Sequence, residues 1–153
     1  YLQYTSVVLD NLDNIAGFYM GLTRDQHQTL PRLHDSYRKD QDIQNTISAF
    51  DELYECHFSE KDFHLDYFAV RFDMWGIIHP LYQKKIADIL FEGIFEDARK
   101  NHCDNISLIV WGSLKRALKF YQQYNCQIVK SLFINGDVIK DEVICLKFPV
   151  PNK

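Results

Sequence analysis

The sequence of 153 residues has no uninterrupted apolar run near the roughly 18 residues that a membrane-spanning helix needs, which excludes a span of that kind. It also lacks a basic segment followed by an apolar one at its start. No signal peptide is therefore visible, and the opening on Tyr1 is what a fragment of a longer protein would show. Positive charge is not in surplus: the formal net charge is -4 and the pI about 5.8, so nothing sequence-independent draws the chain to nucleic acid or to an anionic membrane. Cysteine is sparse. Cys56, Cys103, Cys126 and Cys145 are scattered with no CxxC pair, which reads as reduced core thiols and a cytoplasmic compartment rather than a disulfide framework. His27 and His34 stand two helical turns apart, wider than the i, i+4 spacing of a helical metal pair, so no metal is expected and these side chains should be solvated. No internal repeat or low-complexity segment is present.

What the chain does have is enough apolar residues for one domain with a real core, and a generous 14% of aromatics, so that core should lean on Phe and Tyr. Residues 1–9 and 15–22 are rich in β-branched and aromatic types around a turn-forming cluster at 10–14, which predicts a hairpin. Thr23 and Gln26 have the spacing of a capping box at the start of a short helix, which Pro31 should interrupt, and residues 38–42 read as a polar surface connection. Ile43, Ile47, Phe50, Leu53 and Tyr54 recur at helical spacing, marking an amphipathic helix to about residue 57.

From residue 62 onward the order is strand, helix, strand, helix, strand, strand. Residues 65–72 and 75–79 are strand-like and end at Pro80. Residues 82–100 carry Ile86, Leu90, Ile94 and Ala98 on one stripe, with Arg99, Lys100 and His102 where cations suit the helix dipole. Residues 106–111 form a short buried strand, and Ser113 can cap a helix holding Ala117, Leu118, Phe120, Tyr121 and Tyr124, with Asn125 as a left-handed stop. Residues 127–134 and 138–148 flank Asn135-Gly136, a type I′ hairpin signal. A strand-helix-strand unit implies parallel pairing and the closing hairpin antiparallel pairing. The expected class is α/β (α+β), a mixed and mostly antiparallel sheet with helices on both faces.

Two motifs carry a family resemblance. Ile77-Ile78-His79-Pro80-Leu81-Tyr82-Gln83-Lys84-Lys85-Ile86-Ala87 matches an apolar-x-Pro-x-Tyr strand end followed by a phosphate-binding loop of the form Arg/Gln-x-x-Gly-x-Gly/Ala, with the central glycine missing between Lys85 and Ile86. Leu114-Lys115-Arg116-Ala117-Leu118-Lys119-Phe120-Tyr121 then matches Asn-x-x-Ala-x-x-Phe-Tyr, with Leu114 replacing the leading Asn and Asn125 standing where a Gly would follow. In this order, with a strand between and a hairpin after, the chain resembles the acyl-CoA-binding half of a GNAT-type N-acetyltransferase over residues 62–148. Residues 1–22 then match the hairpin that precedes that half, and residues 23–60 read as a helical insertion, all in one GNAT-like domain.

The resemblance implies acetyl-CoA as acyl donor and a small-molecule or peptide amine as acceptor. It implies Tyr121 as the general acid that protonates the leaving thiolate. Gln83, Lys84, Lys85, Ile86 and Ala87 would hold the pyrophosphate at a helix start, and Ile77, Ile78 and His79 would offer backbone to the pantetheine arm at a splay in the sheet. A phenol with an ordinary pKa near 10 stays protonated at neutral pH and can serve as that acid. Asp66, Asp73, Glu142 and His79 are candidate bases for the amine, directly or through water. The missing glycine and Leu114 support a second reading from another class: a GNAT-like binding or regulatory module without turnover. The long strands are also compatible with a homodimer.

Overall fold

The computed structural model describes residues 4–29 and 40–151. The break expected at Pro31, with His34, lies outside the described residues. The described chain opens with two strands, β1 (Thr5–Leu9) and β2 (Ile15–Thr23), paired antiparallel as their β-branched and aromatic content around the turn-forming cluster predicts. Asp10 shapes the turn between them, its Oδ1 accepting from the N–H groups of Leu12 and Asn14. A five-residue helix α1 (Arg24–Gln28) follows with the full Thr23/Gln26 capping box, and then α2 (Gln41–His57). Next come β3 (Asp62–Val70), a single 3₁₀ turn at Phe72–Met74, and two short strands β4 (Ile78–His79) and β5 (Lys84–Lys85). The rest is α3 (Ile86–Lys100), β6 (Asn105–Trp111), α4 (Lys115–Tyr121), β7 (Gln127–Asn135) and β8 (Lys140–Pro149).

Six strands form one sheet in the order β1-β2-β3-β6-β8-β7, and every neighbouring pair is antiparallel except β3 with β6. This is the mixed, mostly antiparallel sheet expected. Helix α3 makes the crossover between the two parallel strands and, with α4, covers one face. Its stripe of Ile86, Leu90, Phe91, Ile94 and Ala98 is buried against Phe63, Leu65, Ile106, Leu108, Leu146 and Phe148. Phe91 is the hub, with ring contacts to Phe68, Phe120, Tyr121, Tyr124 and Phe148. Each such fully buried aromatic removes enough apolar surface from water to contribute roughly 2–3 kcal/mol. The opposite face is covered by α2, whose Leu53 packs on Ile134, Val143 and Cys145 beside Phe50, Ile109 and Trp111.

Four local expectations are overruled. Helix α3 starts at Ile86, not at residue 82, because Gln83 takes a left-handed φ of 53° and donates its N–H to His79 O, closing a tight turn that pairs β4 with β5. Ser113 does not cap α4: its hydroxyl goes to Asp141 and Leu114 occupies the N-cap position. The Asn135-Gly136 pair does not form a type I′ turn, since Gly136 is not among the residues with positive φ and the strands close at Asn135 with Lys140. Instead Asp42, from α2, inserts its carboxylate and accepts from the N–H groups of Asp137, Val138 and Ile139. Finally, His27 is not simply solvated; it stacks on Tyr54 with ring centroids 4.6 Å apart. The Asn125 stop is as expected, left-handed at φ 53° and ψ 39°. Among the described residues, no helix is long and apolar enough to cross a membrane.

Candidate active site

The parallel pair β3–β6 is short. It runs from Asp62 with Asn105 to Leu65 with Leu108, and beyond it both strands continue unpaired with one another, β3 to Val70 and β6 to Trp111. The cause lies in β3. Its register against β2 passes from Leu65 opposite Gly21 to Tyr67 opposite Met20, leaving Asp66 as an extra residue in a β-bulge. A bulge bends its strand and increases the local twist. It also resets the alternation: Phe63 and Leu65 face the α3 side before it, and Phe68 and Val70 face that side after it. The result is a wedge whose facing edges, 66–70 on one wall and 109–111 on the other, make no ladder with one another. Backbone N–H and C=O groups so placed require partners, which water or an extended amide-bearing ligand can supply.

Tyr121 lies on the α3 side of this wedge, near Phe68, with ring centroids 6.2 Å apart. It is only 6% exposed, and its hydroxyl makes no hydrogen bond among the described residues. Burial alone pushes its pKa above the ordinary phenol value, so it holds its proton throughout the neutral range. An unpartnered buried hydroxyl costs about 1–3 kcal/mol, and a ligand atom that accepts from it offsets that cost.

The start of α3 lies beyond the same end of β3. No side chain caps it, so the N–H groups of its first turn keep their potential for an anion. The side chains of Ile86 and Ala87 are buried in the core, which leaves only their backbone for a ligand. Lys84 is turned to Glu92, with Nζ 2.5 Å from Oε1. Lys85 is exposed and makes no ion pair among the described residues. Asp88, a source of repulsion for an anion, accepts from Tyr124 Oη at 3.0 Å. Gln83 donates its side-chain amide to Pro80 O.

The gap in the sheet is therefore not where the sequence placed it. Ile77 lies in the loop after the 3₁₀ turn, and Ile78 and His79 pair with Lys85 and Lys84 in a separate ladder. His79 is buried and holds the β1–β2 hairpin in place: Nε2 donates to Leu9 O at 2.9 Å and Nδ1 accepts from Leu81 N at 3.2 Å. With both ring nitrogens engaged it has no lone pair left to act as a base. Asp73 is tied to Arg71. Glu142 stands on the α3 side of β8, since its neighbour Val143 faces α2. Of the four candidate bases only Asp66 opens on the α2 side of the wedge.

Asp66 is there part of a polar cluster that the sequence did not reveal. Its Oδ1 accepts from Tyr54 Oη at 2.6 Å and lies 3.7 Å from His64 Nε2, while His64 Nδ1 is 3.0 Å from Ser107 Oγ. Burial drives the His64 pKa down to about 4, outweighing the opposing pull of Asp66, so the ring is neutral at pH 7. The Ser–His–Asp order resembles a hydrolytic triad, but Ser107 is 1% exposed, out of reach of any substrate. A signal for the bulge was present in the sequence: apolar residues at 63 and 65 followed by 68 and 70 shift the strand period by one.

No sequence-family model matches the chain, and no curated protein matches it by sequence. Its fold, however, is that of solved acetyltransferases. Nourseothricin acetyltransferase superposes with a TM-score of 0.62 at 12% identity, over 96% of this chain and 65% of that one. The NatC complex bound to Gag peptide and CoA gives 0.61 at 17% identity, over 97% and 72%. A GNAT-family acetyltransferase from Streptococcus pneumoniae gives 0.60 at 13% identity, over 96% and 66%. The chain thus spans about two-thirds of the length of these proteins, and its fold is the GNAT fold.

Proposed function

We propose that the chain is an N-acetyltransferase that moves an acetyl group from acetyl-CoA to a primary amine by direct attack in a ternary complex. The observation that carries this reading is the buried, unpartnered hydroxyl of Tyr121 set against the wedge between β3 and β6. Residues 62–148 form the donor-binding half, residues 1–22 the hairpin before it, and residues 23–60 an insertion, of which α2 covers the other face.

In this reading the facing backbone edges of 66–70 and 109–111 bond the amides of the pantetheine arm. The first-turn N–H groups of α3 and the side chain of Lys85 hold the pyrophosphate, with Lys84 adding charge when it leaves Glu92. Gln83 fixes the turn that brings these groups to the helix start. Ile77, Ile78 and His79, placed in the sequence on the pantetheine arm, instead secure the loop that carries Gln83 and the two lysines. The acceptor's ammonium first loses a proton to solvent, and the neutral amine nitrogen then adds to the thioester carbonyl, forming the new C–N bond before the C–S bond breaks. Tyr121 gives its proton to the departing sulfur, and the proton shed by the nitrogen as the adduct collapses restores the phenol through solvent. Confining the reactants in this geometry and protonating the leaving group each lower the barrier.

A second reading, a module that binds a CoA-like ligand without turnover, is favoured by one feature: no glycine stands between Lys85 and Ile86, where a residue without Cβ would let phosphate approach the backbone. Calorimetric titration of acetyl-CoA, followed by assay of free thiol release with an amine panel, separates the two. Binding with thiol release that disappears in Tyr121→Phe supports transfer. Binding without release favours the module, and no binding at all refutes transfer and leaves a non-catalytic module that has lost the cofactor.

A further inference from the structure

The donor reading leaves the α2 mouth of the wedge without an occupant. Helix α2 straddles that mouth with two aromatic residues one helical turn apart. Phe50 packs on Trp111, the last residue of β6, with ring centroids 5.7 Å apart, and Tyr54 bonds Asp66 at the bulge of β3. All four side chains are half-buried, neither sealed in the core nor free in solvent. Tyr67, beside the bulge, is 60% exposed.

Asp66 is the charged group that Tyr54 holds on this rim. Its Oδ1 is taken by Tyr54, whereas Oδ2 accepts no hydrogen bond among the described residues, and its side chain is 22% exposed. Among the described residues no cation pairs with it, since the neighbouring His64 ring is uncharged at pH 7. A carboxylate with one oxygen fixed and the other free, set between aromatic rings, is complementary to a cation with an apolar body. The charge-assisted hydrogen bond goes to Oδ2, the ring faces attract the cation, and Phe50 and Trp111 remove apolar carbon from water.

We propose that the acceptor enters from the α2 face, with its ammonium on Asp66 Oδ2 and its apolar body against Phe50 and Trp111, so that the preferred acceptors are primary amines on an apolar skeleton. The inference rests on the acetyl-transfer reading of the same wedge. Asp66 is a binding group here, and Tyr54 is a positioning residue that fixes the carboxylate. The chemistry is shared by small arylalkylamines and by a polypeptide amino terminus that begins with a large apolar residue.

The chain has two tryptophans, Trp75 and Trp111, so a Trp75→Phe background turns Trp111 into a reporter. Phenethylamine, a tripeptide beginning with leucine, and spermidine are titrated against its fluorescence, and the same amines are then assayed as acceptors with acetyl-CoA. The expected result is saturable quenching by phenethylamine, the tripeptide or both, and at least tenfold weaker binding of spermidine. Asp66→Asn weakens amine binding about tenfold and Tyr54→Phe severalfold, raising KM for the amine while acetyl-CoA affinity stays unchanged. Binding of one apolar probe alone identifies the source as small molecule or polypeptide. No amine binding, equal binding of spermidine, or binding indifferent to Asp66→Asn overturns the proposal. Amine binding as expected but no acetylated product leaves the pocket standing and refutes the donor reading instead.

Discussion

Tyr54 on α2 donates its hydroxyl proton across 2.6 Å to Asp66, the residue that β3 inserts at its bulge. One bond thereby ties the helix on the α2 face to the point where the sheet opens. Burial and the neighbouring carboxylate both raise the Tyr54 pKa, so the phenol remains a donor throughout the neutral range. The β3–β6 ladder ends one residue before the bulge, and Tyr54 fixes one oxygen of the Asp66 carboxylate.

Replacing Tyr121 by Phe separates chemistry from structure. The hydroxyl has no partner among the described residues, so its removal should leave thermal stability unchanged or raise it by up to about 1 kcal/mol. Turnover should fall ~100-fold or more, the usual contribution of a general acid, with acetyl-CoA affinity retained. Denaturation curves and steady-state kinetics on the same preparation check both halves. A destabilised variant would mean that the hydroxyl has a structural partner.

The two lysines before α3 should differ. Lys85 makes no ion pair among the described residues and Lys84 is held by Glu92. Lys85→Ala is therefore expected to weaken acetyl-CoA binding by about tenfold, and by less as salt is added. Lys84→Ala should cost only two- to threefold. Equal losses in calorimetric titrations of the two variants would contradict this arrangement.

Acid should destabilise the protein before its carboxylates titrate. The His64 pKa is about 4 in the fold, against 6.5 for a free imidazole. Between those values the unfolded chain binds a proton that the folded one does not. The stability is thus fully present above pH 6.5 and is lost as pH falls toward 4, by an amount on the order of 3 kcal/mol. Urea denaturation at pH 7, 5.5 and 4.5 measures the slope, and His64→Gln should flatten it.

The β7–β8 turn depends on α2. A Cβ at Gly136 would stand 2.1 Å from Asp42 Oδ1, so Gly136→Ala must expel the carboxylate that holds the N–H groups of residues 137–139. Both Gly136→Ala and Asp42→Ala should lower Tm, and the double variant should lower it no further than the worse single one. An additive double variant would show the two residues to be independent.

Most of the fold was legible because its strands and helices carry strong periods. The apolar stripe from Ile86 to Ala98, the β-branched and aromatic runs either side of Asp10 and the capping box at Thr23 are local signals that tertiary structure left intact. Two of the misreadings share one cause, a distant partner: Asp42 reshapes the turn after Asn135, and Asp141 takes the Ser113 hydroxyl. The late start of α3 has a local cause, the tight turn at Gln83 that pairs Lys84 and Lys85 with His79 and Ile78. The candidate site was half legible. Tyr121 could be picked out because it lies within a motif, whereas Phe50, Tyr54 and Trp111 become meaningful only when α2 crosses the gap between β3 and β6. The resemblance placed the gap at residues 77–79 because its apolar-x-Pro-x-Tyr pattern aligns there. The bulge at Asp66 had opened the sheet eleven residues before Ile77.

Hydrogen exchange read by mass spectrometry, with and without saturating acetyl-CoA, tests the central claim most directly. The account predicts new protection in the segments covering residues 66–70, 109–111 and the first turn of α3, and little change in β7. Unchanged exchange in those three segments, or protection confined to other parts of the sheet, would contradict a donor site between β3 and β6.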